Sequence, residues 1–361
     1  MKLSQCLERH NNNFDLLRLI FAGLVIVGHA YALVPSAEGR ADFVQTLLGF
    51  DYAGSLAVKS FFFLSGLMVS NSPSLRHDLP AFIGARTIRI LPGLIASTLF
   101  CMAVVGPIMT RMPLGDYLTH PATRSYANNM LLNLQWTLPG VFELKRMNAV
   151  NGSLWTLPSE VYCYTLLVAL SLLGLMTTAR LSTVLAGAVI AAGFLAPDTM
   201  TTLKFGGEAR LLPACFACGV LMALHKDRIE IRASVATGLV LLTLLLKHSA
   251  LFQPLVYLSL FYGSLVIASS HGFKKLQPPG DFSYGVYLYG FPAQQIAVAW
   301  WPQWGAHANQ LFGFVMAGTL AAVSWYAVER PAMRIGKQWV KRWSSRTSQQ
   351  AGEPHQLHSP S

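Results

Sequence analysis

FDLLRLIFAGLVIVGHAYALV, Phe14 to Val34, decides how the rest of the chain is read. Its length and apolarity fit a helix that crosses a bilayer, which takes about 20 residues. Yet it carries Asp15, Arg18 and His29, and ionisable side chains inside a span are costly enough to be functional candidates. The step from Arg18 to His29 is close to three turns at ~3.6 residues per turn, so both side chains point to one face. A cation then lies near one membrane surface, and an imidazole roughly 16 Å further along the same stripe. Such a helix can handle a ligand through the membrane. The competing reading has Arg18 snorkelling to the headgroups and His29 capping the far interface.

The composition extends this reading to the whole chain. Of 361 residues, 53% are hydrophobic and 12% charged, with a mean hydropathy of +0.43, whereas a soluble domain carries about 25% charged residues. The chain reads as an all-α, polytopic integral membrane protein. Apolar runs predict about ten transmembrane helices, at 14–34, 53–71, 82–108, 154–174, 181–197, 209–224, 233–250, 254–270, 282–301 and 309–328. The net charge of +11 does not point to nucleic acid. Most Lys and Arg gather in the short loops of one side and in the tail, which is the positive-inside pattern and puts both termini in the cytoplasm. Residues 1–13 read as a cytoplasmic segment, 14–334 as the membrane domain, and 335–361 as a basic and then disordered tail. The first 13 residues are polar, so the first span is expected to serve as its own insertion signal. Four of the five cysteines fall in predicted spans, and the lone C-x-x-C of Cys215 and Cys218 has no second pair, so neither a disulfide framework nor a metal site is expected.

Several stretches carry chemistry. In the second span, Lys59 lies at about the same depth below the outer surface as His29, either snorkelling outward or taking part in the site. ARTIRILPG opens the third span with Arg86 and Arg89 on one face, a spacing that suits phosphate oxygens or plain headgroup anchoring. The long outer loop from Thr110 to Gly152 holds Trp136, Tyr117, Tyr126, His120 and several Asn, a set suited to sugar contacts or to a flap on lipid. NGSLWTLPSEVYCY brings Trp155 to the interface and carries Glu160 just into the membrane. Glu160 is expected at the depth of His29, facing a shared cavity, as the orienting partner of a histidine base; the alternative is a helix-start carboxylate favoured by the dipole. Glu208 and Arg210 stand at the outer end of the sixth span, and Tyr284 and Tyr287 belong to a polar stripe opening the ninth. Glu329 and Arg330 are read as cytoplasmic anchors.

Assembled in order, these stretches resemble the acyltransferase-3 family, the group that includes O-antigen and exopolysaccharide O-acetyltransferases. The resemblance rests on FDLLRLIFAGLVIVGH, FFFLSGLMV at Phe61 to Val69, Arg86 and Arg89 followed by LP, GSLWTLPSEVYCY, SYGVYLYGFP at Ser283 to Pro292, and ERP at Glu329 to Pro331. It implies a ten-helix core in the bacterial inner membrane that takes an acyl group from cytoplasmic acyl-CoA, commonly acetyl-CoA, and passes it to a hydroxyl of a saccharide or lipid-linked sugar at the outer face. It further implies that His29 is the catalytic histidine, that Arg18, Arg86 and Arg89 handle acyl-CoA, and that Glu160 is the acid of the LWTL-x-x-E motif. Two positions depart from the pattern: Lys59 stands where many members have Asp, and Gly290 where many have His.

The two lines of reading meet in one expected mechanism. Neutral His29 takes the proton of an acceptor hydroxyl as it attacks the thioester, and Glu160 fixes the imidazole tautomer; an acyl-histidine intermediate is the variant. Lys59, Trp155, Arg210, Tyr284 and Tyr287 are candidates for the acceptor site or its cavity. The rival class is a secondary transporter or flippase, which the absence of internal repeats disfavours.

Overall fold

A computed structural model describes residues 1–336 and 338, except 73, 144, 177, 197 and 200–206; the expected tail lies outside the described residues. The described chain is helical, with no strand beyond one bridge between Lys2 and Glu230. Ten long helices organise it: α1 (Phe14–Leu33), α2 (Ala53–Ser70), α3 (Leu79–Phe100), α4 (Thr156–Leu172), α5 (Ala179–Leu195), α6 (Leu212–Leu224), α7 (Ala233–Leu245), α8 (Phe252–Ser269), α9 (Ser283–Trp300) and α10 (Ala306–Ser324). Among the described residues, six helical stretches are long and apolar enough to cross a membrane: α1, α2, α3 extended to Met109, α6 with the turn before it, α8, and α10 extended to Gly336. The other four predicted segments fall on α4, α5, α7 and α9. Of these, α5 and α7 are apolar but shorter, and α9 has span length but carries Ser, Tyr and Gln side chains.

Local sequence sets the ends. The Asn13 side chain accepts from Leu16 N to start α1 and donates to the carbonyls of Phe273 and Leu276, tying that start to the loop before α9. The Asp42 carboxylate accepts from Gln45 N and Ala53 N, and Asp78 accepts from Ala81 N at the head of α3.

Packing centres on α2 and α9. Along α2, Gly66 meets α6 so closely that an added Cβ would lie 2.1 Å from the Phe216 carbonyl oxygen, and Gly219 answers with 2.1 Å to that of Phe63. Small residues bring the two backbones together. The polar stripe of α9 is explained by position: nearly every residue from Gly285 to Val298 is buried against α1, α3 and α10. Gln294 donates to the Ile26 carbonyl and to Asn309 Oδ1, and Gln295 to the carbonyls of Met147 and Ala149.

The chain between α3 and α4 is more than a flap. Its short helices, Leu114–Thr119, Pro121–Ser125 and Tyr126–Leu131, bury Tyr117, Tyr126, Leu138, Val141 and Phe142 in a cluster of their own with Cys101, Val105 and Ile296. Its last residues then descend into the bundle along α9. Met147 and Ala149 pair with Gln295, the Asn151 side chain donates to the Leu288 carbonyl at 2.9 Å, and Tyr287 OH donates to the Ser153 carbonyl at 2.7 Å. Irregular backbone at this depth is tolerated because protein groups satisfy it.

Candidate active site

Two cavities lie at opposite ends of α1. The first, of about 450 Å³, is walled by Arg18, Ser65, Met68, Arg86, Arg89, Glu160, Tyr164, Tyr284 and Tyr287, with Val58, Phe61, Phe62 and Leu157 as its apolar side. Arg89 is fixed: Nη2 donates to Asp281 Oδ2 at 2.6 Å, and the guanidinium lies 5.5 Å from the centre of the Tyr284 ring. Burial works against ionisation of Asp281, but Arg89 and Arg18 outweigh it and hold the carboxyl below its ordinary range. Arg18 and Arg86 make no ion pair among the described residues. Among the described residues, Arg18 Nη2 donates to the Met68 sulfur at 3.1 Å, and Arg86 Nε is buried without a partner. Two guanidiniums with unspent donors on a concave wall fit the oxygens of a phosphorylated ligand.

The second cavity, of about 640 Å³, is lined by His29, Tyr52, Gln135, Trp136, Asn148, Gly152, Trp155 and Phe291. The His29 ring stands edge-on to Phe291, centroids 5.1 Å apart. Its Nδ1 is buried with no hydrogen-bond partner among the described residues. Aromatic faces with amide groups around one imidazole offer stacking surfaces and hydrogen-bond groups of the kind that orient a polar ligand.

The residues expected at the site divide between these cavities. Arg18, Arg86, Arg89, Glu160, Tyr284 and Tyr287 share the first, and His29 and Trp155 the second. The expected shared cavity of His29 and Glu160 is therefore corrected. Glu160 accepts from Ser65 Oγ at 2.9 Å and from Tyr164 OH, and it lines the arginine cavity and not the imidazole's. The cause is the segment that precedes α4, since that helix starts at Thr156 beside Tyr287 of α9. Tyr287 is only about 6 Å along α9 from its start at 1.5 Å per residue, so Glu160, one turn further down α4, comes level with Tyr284 and Arg89.

Lys59 and Arg210 line neither cavity. Lys59 does not snorkel: its Nζ donates to Asp51 Oδ2 at 2.8 Å and to Ser55 Oγ at 2.6 Å, with Tyr257 OH also on Asp51. Glu329 is not a surface anchor, because the π-turn Trp325–Glu329 turns it inward, where it is buried and accepts from Ser324 Oγ at 2.8 Å. An added Cβ on Gly93 of α3 would lie 3.4 Å from its carboxyl carbon. Sequence reasoning did not single out Ser65 as a partner, Tyr164, Asp281 or Phe291. Tyr164 had a signal, standing four residues after Glu160 on the same helix face; Asp281 and Phe291 become visible only through contacts distant in sequence.

Comparison with known proteins agrees with this architecture. A family model described as an acyltransferase domain, that of the acyltransferase-3 family, matches residues 11–328. A protein of Shigella phage Sf6 named O-acetyl transferase is 26% identical over 334 residues, covering 89% of this chain and 95% of the relative. Nodulation protein 10 of Rhizobium leguminosarum bv. viciae is 27% identical over 364 residues, covering 92% and 96%. No solved structure matches. The family match takes in every helix from α1 to α10, and the chain belongs to the acyltransferase-3 family.

Proposed function

We infer that this membrane acyltransferase is an O-acyltransferase of the bacterial inner membrane. It takes an acyl group, acetyl in the first instance, from cytoplasmic acyl-CoA at the arginine cavity and delivers it to a hydroxyl of a saccharide or lipid-linked sugar at the histidine cavity. The observation that carries this reading is the pair of cavities at the two ends of α1, one holding unpaired arginines and the other an imidazole with an unpartnered nitrogen. The positive-inside distribution supports both termini in the cytoplasm, and with ten crossing helices the arginine cavity opens on the cytoplasmic side. The name of the phage relative, O-acetyl transferase, supports transfer of acetyl to oxygen.

Arg18 and Arg86 hold the donor's phosphates while Arg89 stays braced by Asp281. Val58, Phe61, Phe62 and Leu157 take the apolar part of the pantetheine arm, which leads toward the histidine cavity. His29 accepts the acceptor's proton as the hydroxyl oxygen bonds to the thioester carbonyl carbon; the carbon–sulfur bond breaks, and the proton passes to the leaving thiolate. Glu160, held by Ser65 and Tyr164, shapes the donor end and does not orient the base.

The test is label transfer from radiolabelled acetyl-CoA into saccharide by membranes carrying wild type, His29→Ala or Arg86→Ala at equal protein level. His29→Ala is expected to lose about 10²- to 10⁴-fold in transfer, the range of a general base. Arg86→Ala is expected to raise the donor KM by about tenfold, the scale of one charge-assisted contact. Wild-type transfer by His29→Ala would overturn the assignment.

A further inference from the structure

The two cavities share no lining residue, and what parts them is specific. Thr156 and Tyr287 belong to the wall of the arginine cavity, Trp155, Gly152 and Phe291 to that of the histidine cavity. Between them the descending turn Gly152–Trp155 is laced to α9. Tyr287 OH lies 2.6 Å from Thr156 Oγ1 and donates to the Ser153 carbonyl at 2.7 Å. One turn further along α9, Phe291 presses on Gly152 so tightly that an added Cβ would lie 2.5 Å from the ring. On the other side Phe61 of α2 closes edge-on against the Tyr287 ring, centroids 6.0 Å apart. Asn151, Ser153, Thr156, Tyr287 and Phe291 are all buried. One group in this knot is unsatisfied: Ser153 Oγ is buried with no partner among the described residues, a state that calls for an explanation.

A protein with a water-accessible cavity at each end of one helix needs a barrier between them, and an acyltransferase built this way needs that barrier to open for a thioester but not for water. We propose that the Tyr287–Thr156–Ser153 knot is this barrier, and that Tyr287 is the positioning residue deciding whether the acyl group reaches the acceptor hydroxyl or is lost to water. When an acyl thioester enters, the Tyr287 hydroxyl releases the Ser153 carbonyl, and the thioester carbonyl supplies the Ser153 hydroxyl with the acceptor it lacks. If the knot is loosened by substitution, water from the other cavity reaches the bound thioester before the acceptor hydroxyl does. Its oxygen then bonds to the carbonyl carbon, the carbon–sulfur bond breaks, free carboxylic acid forms, and the water proton ends on the CoA thiol. The hydrolysis half of this proposal rests on the acyl-transfer reading above; the barrier half does not.

The experiment uses the full chain in proteoliposomes, comparing wild type with Tyr287→Phe, which removes both hydrogen bonds and keeps the ring, and Tyr287→Ala, which removes the ring as well. Thr243→Val serves as control, because it breaks a part-buried contact between Thr243 and Ser259, neither of which lines a cavity. Passive proton entry, followed with an internal pH dye in the absence of acyl-CoA, is expected to rise in the order wild type, Tyr287→Phe, Tyr287→Ala. The first step is expected to be about tenfold, the scale of losing hydrogen bonds that hold a closed state. With radiolabelled acetyl-CoA and acceptor present, the ratio of free acetate to transferred acetyl should rise in the same order and stay at the wild-type value in Thr243→Val. A purely structural role for Tyr287 would lower both products together and leave their ratio unchanged. Proton entry at the wild-type rate in both Tyr287 variants would overturn the barrier even if transfer stands. Raised proton entry with no acetyl chemistry in wild type would uphold the barrier and sink the acyl-transfer reading instead.

Discussion

Glu160 and His29 are the two residues whose roles the geometry separates most sharply. A base oriented by a carboxylate shows that partnership in its pH dependence, and Glu160 sits instead in the arginine cavity, bonded by Ser65 and Tyr164. Glu160→Gln is therefore expected to raise the donor KM and leave unchanged the pH at which transfer is half-maximal. A shift of that midpoint by about one unit, the size a close charge produces, would restore the dyad. Lys59 makes the complementary case. Its ion pair with Asp51 is nearly solvent-free, the two side chains being 6% and 2% exposed, and breaking such a pair from one side costs about 3–5 kcal/mol. Lys59→Met is expected to lower the unfolding temperature markedly in detergent, and the double change Lys59→Met with Asp51→Asn to recover much of the loss. If the single change is neutral, the buried network is not holding α2 to the loop before it.

The descending segment before α4 is the element on which the site depends, and it is also the element least visible in the sequence. The Arg18 to His29 stripe, the Arg86 and Arg89 face and the apolar runs are periodic signals, legible because a helix repeats every 3.6 residues. Nothing periodic marks Asn151 to Trp155. Their depth is set by Gln295, Leu288 and Tyr287, more than 130 residues away, so a helix start assigned from hydropathy alone set Glu160 at the wrong level. Glu329 was misplaced for a related reason, since a π-turn rotates the side chains after it and leaves no mark in an apolar count. Gly152→Ala tests the element directly. Its new methyl group would collide with Phe291, the ring that backs His29, and overpacking of this kind costs about 1–3 kcal/mol. Loss of transfer with the donor KM retained is the expected result; full activity would show that the turn can move without disturbing His29.

At the scale of the whole molecule, one helix joins the two cavities. α1 places Arg18 at one end and an imidazole at the other; α9 walls both cavities, α2 walls the first, and the turn before α4 divides them. A fold that merely bound headgroups would not need a second cavity, and an enzyme working on one face would not need the two at opposite ends. Transfer across the membrane is therefore decided by sidedness. The most direct measurement supplies radiolabelled acetyl-CoA to right-side-out and to inverted membrane vesicles and follows label into saccharide. Label appearing only where the donor reaches the cytoplasmic face and the acceptor lies on the other, and vanishing in His29→Ala, is the predicted result. Equal labelling with donor and acceptor on the same face, or labelling indifferent to His29, would contradict it.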